Sequence, residues 1–241
     1  MEAKTMRTYS KYQYIEAAQL FHWATKEQFV IWFTGERNRH KRTEVMLPRL
    51  ERMGKLTSAW YRKKKVYAVK RRNRNRLYGQ LYYPNFEHGI GCTEGLVRFW
   101  RSDRNGYIIP EMHFRGFGSV PEWGILYPNG KLLLFEFCTE DNFKRYREVK
   151  SKIARYRKNL HLIEEKFKGE AVVLFVADVK REKLDSFIWQ HKPFGEEFFF
   201  TDYQTFLNEP IGHQLTASIY IWGENGWPYP LRGEDHGLEI H

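Results

Sequence analysis

The segment 119–156, SVPEWGILYPNGKLLLFEFCTEDNFKRYREVKSKIARY, constrains the fold more than any other part of the chain. Its first half reads as a β-hairpin: residues 123–127 form one short strand, Pro128-Asn129-Gly130 turns the chain with a glycine that accepts positive φ, and 131–138 return. Leu132, Leu133, Leu134 and Phe135 are continuously apolar, which suits a strand buried on both faces. After a polar break at 139–142 the period lengthens. Tyr146, Val149, Ile153, Tyr156 and Leu160 recur at helical spacing, with Lys144, Lys150 and Lys152 beside them. A second apolar strand, EAVVLFV at 170–176, follows, so hairpin, helix and strand predict a β-β-α-β unit with a crossover helix. Beyond it the pattern predicts a helix over 180–189, a strand over 197–201, a short helix over 203–207 and an irregular tail from Gly223.

A chain of 241 residues holds one large or two small domains, and 42% hydrophobic content with 17% aromatics is enough for real cores. No run of about 18 apolar residues occurs, so no membrane span is expected. The N-terminus MEAKTMRTYSKY lacks the apolar core of a secretion signal. Cys92 and Cys138 lie in unrelated contexts, which indicates neither a disulfide framework nor a zinc cluster. These features predict a soluble cytoplasmic protein. The net charge is +11, and its placement says more than its size. Residues 1–83 carry 20 Lys and Arg against 6 Asp and Glu, whereas the remainder carries 20 against 23. That asymmetry predicts a nucleic-acid-binding module joined to a nearly neutral domain. The plainer alternative is a basic surface kept for solubility.

Within the basic third, Tyr14, Ala17, Ala18 and Phe21 form one helical stripe, and Phe29, Val30 and Phe33 form another. Thr25 and Gln28 have capping-box spacing and predict a helix start. Gly35 predicts its end, and the basic segment 36–42 follows. Thr43 is placed to cap a helix over 44–53 with Val45, Leu47, Leu50 and Met53 inside, although Pro48 must sit in its first turn or kink it. Residues 55–60 and 66–69 read as two strands around the cationic tip 61–65, YRKKK. Three helices followed by a β-ribbon resemble a winged helix-turn-helix, and Leu47-Pro48-Arg49-Leu50-Glu51-Arg52-Met53-Gly54-Lys55-Leu56 is similar to the end of many recognition helices. A helix fits the major groove, and a wing meets the phosphates beside it. On that resemblance Arg37, Arg39, Lys41, Arg42 and Arg49 would approach the groove or its edge, and Arg62, Lys63, Lys64 and Lys65 the backbone. The run KRRNRNR at 70–76 reads as a linker, a phosphate-tracking tail or an extended wing strand, and the tyrosines of 77–84 as interface packing. Residues 86–101 read as the first helix of a second domain, and 108–114 as a strand carrying Glu111.

Two carboxylates punctuate the central hairpin, Glu122 before its first strand and Glu136 near the end of its second. Mg²⁺ is usually held by one or two carboxylates, with water and phosphate oxygens completing its shell. The pattern resembles the PD-(D/E)xK nuclease core, with Pro121-Glu122 in the place of Pro-Asp and Glu136-Phe137-Cys138 in the place of (D/E)-x-K. More narrowly it resembles the replication-relaxation family of plasmid and mobile-element proteins, through Glu136-Phe137-Cys138-Thr139-Glu140 and Lys152-Ile153-Ala154-Arg155-Tyr156. The resemblance implies a metal site for Mg²⁺ or Mn²⁺ on Glu122 and Glu136, completed by Glu111 in preference to Glu94, and places His88 at a family histidine. Two departures stand out: Glu replaces Asp at 122, and a neutral thiol, Cys138, holds the place of a lysine or an acid. Lys152, or Lys150, could supply the missing positive charge from the following helix. Alternatively, Glu136 simply ends a core strand and Glu122 caps a turn.

No phosphate-binding G-x-x-x-x-G-K-[ST] loop and no G-x-S-x-G elbow occur, and no paired-histidine motif accompanies Tyr146 or Tyr156 as candidate nucleophiles. The resemblances imply a mixed α/β and α+β chain, with an N-terminal winged helix (1–76) expected before a PD-(D/E)xK nuclease-like α/β domain (77–241). The function they imply is DNA binding for a plasmid, phage or other mobile element, with metal-dependent nicking or cleavage through Glu122, Glu136, Lys152 and Glu111. The other reading is a non-catalytic replication or transcription regulator whose degenerate nuclease-like domain serves dimerisation or partner contact. Both take double-stranded DNA as partner, and a homodimer fits either.

Overall fold

The computed structural model describes residues 10–33, 38–70, 86–102, 105–144, 146–191, 197–208, 220–222 and 228–230. The chain forms two compact units, Met1–Arg101 and Ser102–His241, each with helices and its own sheet. The sequence reading put the boundary at 76/77, which assigned the helix over 86–102 to the second unit. That helix instead packs its aromatic and polar side chains on the first unit.

In the first unit, α1 (Lys11–Leu20), β1 (Ala24–Thr25), α2 (Lys26–Trp32), α3 (Arg39–Arg52), β2 (Leu56–Tyr61), β3 (Lys64–Val69) and α4 (Phe86–Ser102) follow in order. The strands form an antiparallel sheet in the order β1-β3-β2, with Ala24 opposite Tyr67 and Trp60 opposite Lys65. α2 starts at the predicted capping box. The Gln28 N–H donates to Thr25 Oγ1 at 3.3 Å, and the Thr25 N–H donates to Gln28 Oε1 at 2.9 Å. Tyr14, Ala17, Phe29, Leu47 and Leu50 interlock the three helices as a core. α3 begins at Arg39, five residues before the expected helix and just after Asn38, which lies in the left-handed region (φ 60°). Thr43 is therefore no cap. It lies buried inside the helix, its hydroxyl 3.0 Å from the Tyr14 hydroxyl, and Pro48 sits in the helix interior rather than its first turn. α4 is fastened here by Gln28, whose amide donates to the Ile90 carbonyl (3.2 Å) and to Glu94 (2.9 Å), and by a Trp32–Trp100 stack.

In the second unit a seven-stranded mixed sheet has the order β10-β9-β8-β7-β6-β5-β4. β4 (Tyr107–Pro110), β5 (Trp123–Leu126) and β6 (Lys131–Cys138) form an antiparallel meander. The Pro-Asn-Gly turn lies where expected, with Gly130 at φ 81°. A short helix, α5 (Glu140–Lys144), and the long α6 (Tyr146–Phe167) then cross to β7 (Glu170–Ala177), which pairs parallel with β6 along eight residues. α7 (Arg181–His191) leads to β8 (Phe198–Asp202), parallel to β7, and α8 (Tyr203–Asn208) follows. β9 (Tyr220–Trp222) lies just before the tail expected to be irregular and pairs antiparallel with β10 (Pro228–Pro230) within it.

Strands β5 to β8 are buried on both faces, as the apolar run in β6 required. On one face Leu132, Leu134, Cys138, Val173, Phe175, Phe198 and Phe200 pack under Val149, Ile153, Tyr156 and Leu160 of α6 and Leu184 and Phe187 of α7. On the other, Trp123 stacks on its cross-strand partner Phe135 at 4.3 Å, and Phe137 meets Tyr203 of α8 edge to face. Residues 111–114 correct a further expectation. Glu111–Phe114 is a 3₁₀ turn and not a strand, because it carries Phe114 over Gly124, where an added Cβ would lie 2.7 Å from the ring.

Candidate functional site

Two chemically distinct surfaces carry the residues singled out by the sequence. On the second unit, Glu122 and Glu136 lie one residue beyond the Trp123–Phe135 pair on adjacent strands, and the Glu122 N–H donates to the Phe135 carbonyl at 2.9 Å. Alternation along β6 turns Glu136 to the same face as Leu134 and Cys138, under α6, where it is 0% exposed. A charge in such a place must be paired and hydrogen-bonded. α6 meets that requirement with two side chains one turn apart, Lys152 and Tyr156. The Lys152 ammonium donates to Glu136 Oε2, and the Tyr156 hydroxyl donates to Glu136 Oε1 at 2.8 Å. Lys152 Nζ is also 3.9 Å from Glu122 Oε1, so one ammonium bridges two carboxylates. The Glu122 side chain is 11% exposed and that of Lys152 31%, so the cluster opens to solvent on its lysine side.

The electrostatics follow from this burial. Burial raises the Glu136 carboxyl above the ordinary glutamate range, with Lys152 and Tyr156 pulling against it and Glu122 adding to the rise. For Lys152 burial acts downward, but the two carboxylates outweigh it and hold the ammonium above its usual value. Burial, reinforced by Glu136, drives Tyr156 well up. Cys138, two residues further along the same face, is pushed up to about 12 by burial and stays a neutral thiol, so it supplies no positive charge. Of the two lysines the sequence offered, Lys152 enters the cluster while Lys150 is exposed.

Glu111 follows Pro110, the partner of Trp123, and its carboxylate faces Arg115 at 3.8 Å. Glu94 belongs to the first unit and accepts from Gln28. His88, on the same helix, meets the His22 ring edge to face. Tyr156 was read as a packing residue; its position four residues after Lys152 was the available signal that it serves the same carboxylate. Glu122 and Glu136 offer a donor set of the kind hard divalent cations take, with both Glu136 oxygens engaged by Lys152 and Tyr156. All donors are oxygen, and two carboxylates against one ammonium leave one negative charge over.

On the first unit, α3 and the β2–β3 hairpin hold the cationic candidates. Along α3 the residues Lys41, Glu44, Val45, Arg49, Arg52 and Met53 are exposed, opposite the buried Thr43, Leu47 and Leu50. Arg39 is half-buried in the first turn, as is Arg42. The hairpin tip is the two-residue turn Arg62-Lys63, both in the left-handed region (φ 44° and 64°). Arg62 ion-pairs with Glu87 at 2.5 Å and Lys65 with Glu51 at 2.7 Å, so both also fasten the hairpin to neighbouring helices. Lys63 and Lys64 project into solvent and make no ion pair among the described residues. Arg37 lies outside the described residues.

No protein-family model, no curated protein and no solved structure matches this chain. Among the described residues no helix is long and apolar enough to cross a membrane.

Proposed function

We propose that the protein binds double-stranded DNA through its first unit and hydrolyses or nicks DNA at the Glu122–Glu136–Lys152 cluster. Such an activity would suit a plasmid, phage or other mobile element of the replication-relaxation type. The observation that carries the reading is Lys152. It reaches the Glu136 carboxylate from α6 and places a cation where the nuclease-like pattern calls for one and Cys138 cannot provide it. The strand order β4-β5-β6-β7 around that carboxylate pair supports a PD-(D/E)xK-like core. The order helix, short strand, helix, helix and hairpin, with sheet order β1-β3-β2, supports a winged helix.

In this reading Glu122 and Glu136 would hold Mg²⁺ or Mn²⁺. The ion, when bound, supplies Lewis-acid polarisation of a phosphate oxygen. Lys152 stabilises charge developing on the phosphoryl oxygens from the open side of the cluster. Tyr156 fixes the Glu136 rotamer through Oε1 and leaves Oε2 toward the lysine. The test pairs calorimetric titration of Mn²⁺ with nicking of supercoiled DNA by wild type and a Glu122→Gln/Glu136→Gln variant. Loss of both metal binding and nicking in the variant, with DNA affinity kept, is the expected result.

One observation favours the regulator reading, in which the second unit serves dimerisation or partner contact. The Lys152 ammonium already lies between the carboxylates, as in a purely structural ion pair. No Mn²⁺ uptake by wild type, with or without duplex present, and no nicking would decide for that reading.

A further inference from the structure

Trp60 is 73% exposed, the most exposed large apolar side chain among the described residues. It stands in a regular strand two residues before the hairpin tip, directly opposite Lys65. Both flanks of its hairpin are fastened. On the Trp60 face, Glu51 of α3 accepts from Ser58 and from Lys65. On the other, Tyr61 and Arg62 reach Glu87 of α4. The ring is thus presented from a braced ribbon, so little further ordering is needed when something covers it. The tip of the same hairpin carries the exposed Lys63 and Lys64, and Arg52 is exposed at the end of the helix that carries Glu51. An apolar ring on a hairpin with a cationic tip is poorly matched to an apolar protein surface and well matched to a polyanion with flat faces.

Nucleic acid has both properties, but a duplex hides the faces of its bases inside the stack. An indole has a single N–H donor and reads few groove-edge groups, whereas its face stacks on any unpaired base. We propose that Trp60 is a stacking platform for an unpaired base beside the duplex that the hairpin grips, so the preferred ligand is DNA with a single-strand–duplex junction. The inference rests on the DNA-binding reading of the first unit.

The test measures fluorescence anisotropy of the full-length protein on a blunt duplex and on the same duplex carrying a single-stranded tail, at one salt concentration. Wild type is expected to bind the tailed duplex about tenfold more tightly. Trp60→Ala and Trp60→Leu should abolish that preference while leaving blunt-duplex affinity within about twofold, and Trp60→Phe should retain most of it. Thermal melting checks that each variant is folded, and the Leu and Phe variants decide the matter if the Ala variant is not. Equal wild-type affinity for the two duplexes overturns the proposal, and so does a uniform loss on both in Trp60→Ala. Wild type that binds neither overturns the DNA-binding reading, and the proposal with it.

Discussion

Glu136 is a carboxylate at a position where alternation and an apolar strand would otherwise demand a leucine, and its two partners both come from one helix turn. Removing the cation leaves a buried acid with only a tyrosine. Lys152→Met is therefore expected to cost about 3 kcal/mol in urea unfolding, against about 1 kcal/mol for Tyr156→Phe. The direction of the Glu136 shift sets a pH dependence. A carboxyl whose folded pKa is raised binds its proton more tightly folded than unfolded, so its contribution is full below the unfolded value near 4.5 and is lost as pH rises through the folded one. Wild type should thus lose stability relative to Glu136→Gln over that window, as followed by unfolding at stepped pH. Mn²⁺ affinity should climb with pH above the ordinary glutamate range, because the ion requires the ionised form. Asp202 has the opposite sign. Although burial opposes it, hydrogen bonds from Thr205 and Arg181 hold its carboxyl low, so its contribution is present above the usual 3.8 and disappears as pH falls further.

The hairpin, the crossover helix and the capping box of α2 were legible because each is written in local chemistry: an apolar run, a period, a Thr and Gln three apart. Thr25→Ala should cost about 1 kcal/mol on that account, read as a lowered urea midpoint. What was not legible depends on partners distant in sequence. The two-residue β1 exists because Ala24 and Thr25 meet Tyr67 and Val66. α3 extends back to Arg39 because Tyr14 takes up the hydroxyl of Thr43, which removes the reason to end the helix there. Glu111 was misplaced on a strand because the demand of Phe114 for the space over Gly124 has no local signature. Lys152 could be named but not distinguished from Lys150 by spacing alone. Pro48, half-buried, is the flaw of α3, since it cannot donate to the Glu44 carbonyl. Pro48→Ala should raise stability by roughly 1–3 kcal/mol.

For the whole molecule, charge is the most informative quantity. Taking the first unit to Arg101 gives 22 Lys and Arg against 8 Asp and Glu, so the excess is as large as at the boundary read from sequence. If that unit neutralises phosphates, affinity falls linearly with salt on logarithmic axes. Lys63→Ala/Lys64→Ala should flatten the slope by roughly 2, while Glu122→Gln/Glu136→Gln leaves it unchanged. The parallel pairing of β6 with β7 also bears on timing. Glu122 and Glu136 meet across a tight hairpin, a contact of low closure cost, whereas Lys152 and Tyr156 ride on the helix that crosses to β7, a strand paired with β6 from more than thirty residues further along the chain. On closure entropy alone the carboxylate pair is expected to assemble before its counterion, which would leave a hydrated, negatively charged notch beside an open strand edge until β7 completes the sheet.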